Sequence, residues 1–139
     1  HANNPMFRPS MVVNEVHEGQ PFFIKNLKIV PIALNGHPVH SNGYIINDGE
    51  IVYIADCKCI SEEGLALIKK KPEILVLPLT TLSGQATHMG LDKLLEYVNI
   101  IKPHKTIINH MAIECDYETV AGLTPPEVVP AYDNMVVEI

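Results

Sequence analysis

The chain has 139 residues, 47% of them hydrophobic, which suffices for one domain whose core needs no disulfide or metal support. Sixteen acidic residues against ten basic ones give a net charge of −6, which disfavours binding of duplex nucleic acid by a positive surface. No apolar run approaches the roughly 18 residues needed to span a membrane, and the first residues lack the stages of a secretory signal.

The first part of the chain predicts an irregular segment followed by β-strands. Residues 1–21 mix Pro, Asn and Gly, and we expect a loop or an arm that docks on a partner surface. From Phe22 onward, the runs FFI, LKIVPIAL, GYIIND and EIVYIAD are rich in β-branched and aromatic residues and are separated by turn-like stretches. The Asp48-Gly49 pair between the last two runs predicts a hairpin, so these two strands are expected to be antiparallel neighbours.

The second part of the chain alternates helices and strands. Ser61 followed by two glutamates predicts a helix start, and the helix is expected to include the lysines at 69–71 and to stop at Pro72. Residues 91–103 carry apolar residues at helical spacing and predict a second helix. The remaining predictions are a buried strand at 73–78, a polar loop at 80–90, a strand at 105–110, a short helix at 116–123 and strands at 128–132 and 135–139.

This order of elements predicts an α/β architecture. Hairpins first and strand-helix alternation later indicate a mixed sheet with helices on one face, which is one half of a layered fold. The face of the sheet without helices would expose apolar area. We therefore expect a second sheet to cover it, from the same chain or from another copy.

Four residues stand at the ends of strand-like runs or in glycine-bearing loops: His37, Asp56, His88 and His110. Imidazole and carboxylate are ligands that borderline divalent ions accept, and strand ends hold them rigidly. Each residue alone also has an ordinary interpretation, as a core histidine, a solvated loop histidine or a capping aspartate, and His40 competes with His37. Because the strand ends of an open α/β sheet converge on one edge, the set predicts a metal-dependent hydrolase.

The three cysteines are an odd set. Cys57 and Cys59 form a Cys-x-Cys pair that is too tight for an ordinary structural bridge, and Cys115 has no obvious partner. They could be soft metal ligands or a redox pair, but cysteine is more often buried as a small hydrophobe, and we prefer that interpretation. Reduced thiols fit a cytoplasmic protein. The lack of a membrane-spanning run predicts that the protein does not bind membranes.

Four segments together resemble a known family: HPVHSNGYII, IVYIADCKCISEE, LTTLSGQATHMGLDKLLEYVNIIKP and KTIINHM. They are similar to the C-terminal half of metallo-β-lactamase-fold hydrolases, and most similar to phosphodiesterases of the PhnP type, which act on cyclic ribose phosphates. The resemblance covers residues 22–139. It implies that this part of the chain is the C-terminal half of an αββα sandwich.

The resemblance also implies a role for each of the four residues. His37 would bind one metal, Asp56 would bridge two metals, and His110 would bind the other. His88 would be the catalytic residue, as a proton donor or phosphate contact. Two ions of Zn²⁺ or Mn²⁺ would activate water and neutralise the phosphate of a small-molecule phosphodiester.

The chain departs from the family pattern in one respect. The main metal-binding signature of the family, His-x-His-x-Asp-His, occurs nowhere in this sequence, and three protein ligands do not hold two metals securely. We therefore expect a fragment of a longer enzyme, inactive without its N-terminal half, or a non-catalytic module in which the half-fold pairs with itself as a homo-oligomer. A thioester or lactam hydrolase of the same fold is a third alternative.

Overall fold

The computed structural model describes residues 11–139, which form one mixed β-sheet and three α-helices. The strands are β1 (Phe22–Ile24), β2 (Leu27–Asn35), β3 (Ser41–Ile46), β4 (Ile51–Tyr53), β5 (Cys59–Ile60), β6 (Ile74–Pro78), β7 (Lys105–Asn109) and β8 (Val128–Pro130). The helices are α1 (Glu62–Leu67), α2 (Leu91–Ile101) and α3 (Tyr117–Leu123). None of these helices has the length and apolar character needed to cross a membrane.

The sheet has the order β1-β2-β3-β4-β6-β7-β8, and β5 pairs with the end of β2. Strands β1 to β4 pair antiparallel, whereas β4, β6, β7 and β8 pair parallel, as predicted for a mixed sheet. The hairpin prediction is confirmed, because a tight turn at Asn47–Gly49 joins β3 to β4. All three turn residues have positive φ, a conformation that Asn, Asp and Gly adopt more readily than other residues.

One face of the sheet, which we call the covered face, forms the core. Its strand residues include Ile32, Val52, Leu75, Leu77 and Ile108, all 0% exposed. Leu94 and Val98 of α2 and Val120 of α3 belong to the same cluster, and Leu65 of α1 packs against it. Full burial of one such aliphatic side chain stabilises the fold by about 1.5–3 kcal/mol. The prediction of helices on one face of the sheet is therefore confirmed.

The opposite face, which we call the open face, is also apolar. The strand register places Ile29, Ile46, Ile51 and Ile74 in one row and Tyr44, Tyr53, Val76 and Ile107 in the next. No helix of residues 11–139 belongs to this face, and Tyr53 at its centre is 40% exposed. The sheet thus has the apolar face without helices that the sequence predicted, but this face is not bare, because Ile74 and Ile107 on it are only 8% and 7% exposed.

Helix α1 is shorter than predicted. It ends at Leu67, because Ile68 leaves the helical conformation with ψ 87 and packs against the core, so the lysines at 69–71 lie outside its last turn. The proline at position 72 also disfavours helical backbone at the residue before it. The predicted helix start is confirmed, since the Ser61 side chain accepts a hydrogen bond from the N–H of Gly64 at 2.8 Å.

The prediction of a strand at 135–139 is wrong, and β8 ends two residues earlier than predicted. The exposure of its side chains alternates as in a strand, with Met135 and Val137 half-buried and Val136 82% exposed. Its backbone nevertheless pairs with none of the described strands. The apolar side chains rest instead against the open face, where Met135, Val137 and Tyr53 help to line a cavity of about 610 Å³.

The predicted arm at 1–21 is described only in part, because residues 1–10 lie outside the described residues. Residues 11–21 form no helix or strand and are largely exposed. Asn14 and Val16 line a cavity of about 440 Å³ together with Phe22, Ile29 and Tyr44, which lie on the open face. The docking role of this arm stays a prediction.

Candidate metal centre

The ends of the central strands bring the predicted site residues to one edge of the sheet, which we call the site edge. His37 follows β2, Asp56 follows β4 and His110 follows β7, while His88 lies in the loop between β6 and α2. Strands β2, β4, β6 and β7 all run in the same direction. Because carboxyl ends of such strands meet at one edge, residues far apart in the sequence become neighbours.

Asp56 lies at the centre of these residues. Its Oδ2 is 3.4 Å from Nε2 of His37, and its Oδ1 is 3.6 Å from Nε2 of both His88 and His110. The rings of His88 and His110 stack with their centroids 5.7 Å apart, and the ring of His37 meets that of His88 edge-on at 6.1 Å. The structure therefore brings together all four residues singled out in the sequence, and we call them the His-Asp cluster.

The His-Asp cluster fits a divalent metal. One ligand atom each of His37, Asp56 and His88 lie within 4.8 Å of one another. The Oδ1 atom of Asp56 is buried and has no hydrogen-bond partner in the protein, which is unfavourable for a carboxylate unless a cation compensates it. Imidazole nitrogens with a carboxylate oxygen suit Zn²⁺ and also Mn²⁺. The division into ligands and catalytic residue, with His88 as the latter, stays a prediction.

Hydrogen bonds of the loop before α2 orient His88. Its Nδ1 is 2.9 Å from Oγ1 of Thr87, while its Nε2 faces the carboxylate of the cluster. The N–H of Gln85 donates to the carbonyl of His88 at 3.1 Å, which closes a tight turn. The N–H of Met89 donates to the carbonyl of Cys57 at 2.9 Å and ties the loop to the segment after β4.

His110 has a left-handed backbone conformation, with φ 57. This conformation is uncommon outside glycine and persists where the surrounding structure imposes it. Directly after His110, the N–H of Ala112 donates to the carbonyl of Thr80 at 3.1 Å, which fixes the turn after β7 against the segment after β6. The KTIINH run predicts the strand but gives no sign of this turn.

Three other histidines of the described chain, His17, His40 and His104, lie outside the cluster. The Nε2 atom of His40, which competed with His37 in the sequence, is 3.1 Å from Oε1 of Glu18 and its side chain is 70% exposed. His104 precedes β7, at the opposite end of that strand from the cluster, and faces Glu73 at 3.8 Å. The structure therefore places His37, and not His40, beside Asp56.

The site edge also collects buried polar atoms without partners. Seven buried side-chain oxygens of residues 11–139 have no hydrogen-bond partner in the protein, and six of them belong to residues at this edge. The six residues are Ser41, Asn42, Asp56, Thr80, Thr81 and Asn109. Buried polar groups nearly always have hydrogen-bond partners, so these oxygens would bind polar groups from outside the described residues. Sequence reasoning missed the two threonines, although they lie within three residues of the end of β6.

The cysteines take no part in the cluster. Cys57 is 0% exposed within the core, and burial, followed by the neighbouring Cys59 and Asp56, raises the pKa of its thiol to about 12. Cys115 is also buried, with its Sγ 3.5 Å from the carbonyl of Thr80. Because thiolate is the form that binds metal, Cys57 is a poor ligand. The interpretation of these two residues as small hydrophobes agrees with their burial.

Similar solved structures share the fold of the chain. A diphosphatase of the PhnP family has a TM-score of 0.80 and 20% identity, over 89% of this chain and 47% of that chain. The metallo-beta-lactamase fold protein YhfI from Bacillus subtilis has a TM-score of 0.73 and 18% identity, over 88% and 54% of the two chains. Human tRNase Z, short form, has a TM-score of 0.64 and 17% identity, over 85% and 45%. The chain thus spans about half the length of these structures.

The family assignment rests on the sequence as well as on the fold. No curated protein matches the chain. Residues 2–111 match the family model of the beta-lactamase superfamily domain, which covers most of the chain. The resemblance inferred from the site motifs is confirmed by this match and by the shared fold. The chain therefore belongs to the beta-lactamase superfamily.

Proposed function

We propose that the chain is part of a metal-dependent hydrolase of phosphodiesters, with small cyclic ribose phosphates as the substrate class. The observation that carries the proposal is the buried, unpartnered Oδ1 of Asp56, which faces the Nε2 atoms of His88 and His110. With a net charge of −6 the chain attracts no anion in general, so the charge of a phosphate has to be neutralised locally. The fold likeness to a PhnP-family diphosphatase supports phosphate as the group that is attacked.

Three residues of the cluster would hold the metal. The two carboxylate oxygens of Asp56 face different imidazoles, Oδ2 that of His37 and Oδ1 that of His110, as a carboxylate that bridges two ions requires. Bound Zn²⁺ or Mn²⁺ would polarise the phosphate and lower the pKa of water at the site. The three side chains supply rigid anchoring, because each follows a strand of the same sheet.

The tautomer of His88 determines its part in the reaction. When the hydroxyl of Thr87 donates to Nδ1, the proton of the ring lies on Nε2, which faces the cluster and is able to protonate a leaving group. When Nδ1 carries the proton and donates to Thr87, Nε2 is instead a free ligand for metal. The first arrangement corresponds to the catalytic role that we propose for His88.

The described residues hold only part of the proposed enzyme. The chain spans about half the length of the similar structures. Its open face presents apolar side chains, and its site edge holds buried polar atoms without hydrogen-bond partners. We propose that an N-terminal half with further metal ligands covers the open face, and that this chain alone has little activity. Its three unpaired cysteines suit a reducing compartment such as the cytoplasm.

Metal analysis of the intact protein tests the proposal. We expect stoichiometric Zn²⁺ or Mn²⁺ and metal-dependent hydrolysis of a cyclic phosphodiester, both removed by His110→Ala. The matched control is His104→Ala, at the other end of β7, which should change neither. Equal metal content in the two variants, or activity that survives removal of the metal, would contradict the proposed function.

The open face supports a second candidate, a non-catalytic half-fold module that pairs with itself. In that case the protein is a stable metal-free dimer, and Tyr53→Lys on the open face dissociates it. A thioester or lactam hydrolase of the same fold is distinguished by substrate. Hydrolysis of thioesters or lactams in preference to phosphodiesters would replace the substrate class and keep the metal site.

A further inference from the structure

We propose that Lys58 is a positioning residue that fixes the position of His88 relative to the rest of the His-Asp cluster. The inference rests on the proposed function and deepens it. Lys58 lies two residues after Asp56 and is half-buried. Its ammonium group makes no ion pair with that carboxylate, whose ion-pair partners among the described residues are the three histidines of the cluster. The side chain points elsewhere, toward the loop that carries His88.

The ammonium of Lys58 binds both ends of the tight turn that ends at His88. It donates to the carbonyl of Gln85 at 2.5 Å and to the carbonyl of His88 itself at 3.3 Å. The same turn is closed internally by the bond from the N–H of Gln85 to the carbonyl of His88. Hydrogen bonds from a charged donor are stronger than neutral ones, so this contact fixes the position of the turn.

Lys58 also contacts the segment that carries His37. Its backbone N–H donates to the carbonyl of Asn35, the last residue of β2, at 3.1 Å. Gly36, with φ 92, lies so close that an added Cβ there would be 2.1 Å from Cβ of Lys58. The stem of the lysine thus packs against the residue before His37. Lys58 therefore links its own segment, which also carries Asp56, to the segments of His37 and His88.

The loop has few other attachments that could replace this one. Gly84 and Gly90 approach each other at the neck of the loop, where a Cβ on either would be under 3.0 Å from the backbone of the other. Among the described side chains outside residues 83–88, Lys58 is the one that forms hydrogen bonds to this stretch, since the bonds of Ser83 and Thr87 are internal. Loss of the ammonium would leave the close approach of the two glycines and the bond from the N–H of Met89 to Cys57 as the remaining attachments of the turn that carries His88.

The experiment compares Lys58→Met, which keeps the stem and removes the charge, with Lys58→Arg and with the exposed control Lys71→Met. All are made in the intact, metal-loaded protein and in a His88→Ala background. We expect Lys58→Met to lower kcat by about 10- to 100-fold with little change in KM, as for residues that orient a catalytic group. Lys58→Arg should recover part of this loss, and Lys71→Met should match the wild type.

A purely structural role is excluded by the double variant. If Lys58 acts through His88, then Lys58→Met adds no further loss of kcat to His88→Ala. Additive losses in the double variant, or a wild-type kcat in Lys58→Met, would overturn the inference.

Hydrogen exchange gives a measure that needs no activity. In Lys58→Met we expect the amides of Gln85 and Met89 to exchange at least about tenfold faster, with core amides unchanged. A protein that binds no metal and hydrolyses nothing refutes the proposed function, and exchange alone then decides whether Lys58 holds the loop. Unchanged exchange at both amides in an active, metal-loaded enzyme refutes the inference and leaves the proposed function intact.

Discussion

The core of the domain and the site edge differ in whether their buried polar atoms have hydrogen-bond partners. In the core, the hydroxyl of Tyr97 accepts a hydrogen bond from the N–H of Ile60 at 2.9 Å, and Ser61 caps α1. At the site edge, six residues bury side-chain oxygens that have no partner within the protein, whereas Thr106 is the one such residue among the other described residues. The core thus satisfies most of its polar atoms, whereas the edge retains groups that a ligand, water or a further chain would satisfy. Stability and function should therefore separate on mutation.

The largest separation is expected for Asp56→Asn. This change keeps the size of the side chain and removes the charge that faces three imidazoles. We expect metal affinity to fall more than about 100-fold, since even residues behind the ligands cost 10- to 100-fold. The free energy of unfolding without metal at pH 8 should stay within about 0.5 kcal/mol of the wild type, because the buried carboxylate contributes no hydrogen bond there. Calorimetric metal titration and urea unfolding with a chelator measure the two effects.

The second prediction compares neighbouring residues on the two faces of β6. Leu77 is 0% exposed on the covered face, whereas Val76 is only half-buried on the open face. Leu77→Ala should lower the free energy of unfolding by about 2–5 kcal/mol, as core truncations do. Val76→Ala should cost less than about 1 kcal/mol in urea unfolding of this chain. A large cost for Val76→Ala would mean that the open face is covered in solution.

A smaller effect is expected at the start of α1. Ser61 is 4% exposed and its side chain accepts the N–H of Gly64, so Ser61→Ala leaves that donor without its partner. The expected loss in the free energy of unfolding is about 1 kcal/mol, with no change in metal content. The control is Ser83→Ala in the exposed part of the loop before α2, which should have no measurable effect. Equal costs for the two serines would show that the cap contributes nothing.

The smallest effect is a pH dependence at the start of α3. Hydrogen bonds from the side chain and N–H of Thr119 hold the pKa of Asp116 below its usual value of 3.8. A carboxylate whose pKa is lowered by folding stabilises the protein above the unfolded pKa, and this is lost as pH falls through the folded pKa. The stability advantage of the wild type over Asp116→Ala should therefore shrink between pH 6 and pH 3. Urea unfolding at both pH values measures the difference in the free energy of unfolding between the two proteins. A difference that does not change with pH would show that the charge of Asp116 contributes nothing to stability.

Much of the fold follows from local patterns, because strands and caps depend on neighbouring residues. The Asp48-Gly49 hairpin and the Ser61 cap were predicted from sequence, and so was the existence of β4 and β7, although β4 ends at Tyr53, three residues before its predicted end. The end of α1 and the path of residues 135–139 were not, since both depend on which surface the apolar side chains find. The convergence of His37, Asp56, His88 and His110 was expected from strand direction alone. The left-handed turn at His110 and the contacts of Lys58 arise only in three dimensions.

The position of Asp56 follows from how β4 is paired. Strand β4 has an antiparallel neighbour, β3, on one side and a parallel neighbour, β6, on the other, so its end lies beside the start of β3 and the end of β6. The pairing of the backbone therefore supplies the location of the centre, while the side chains that follow these strands supply its ligands. Replacement of one such side chain changes the chemistry that is possible there and leaves the sheet intact.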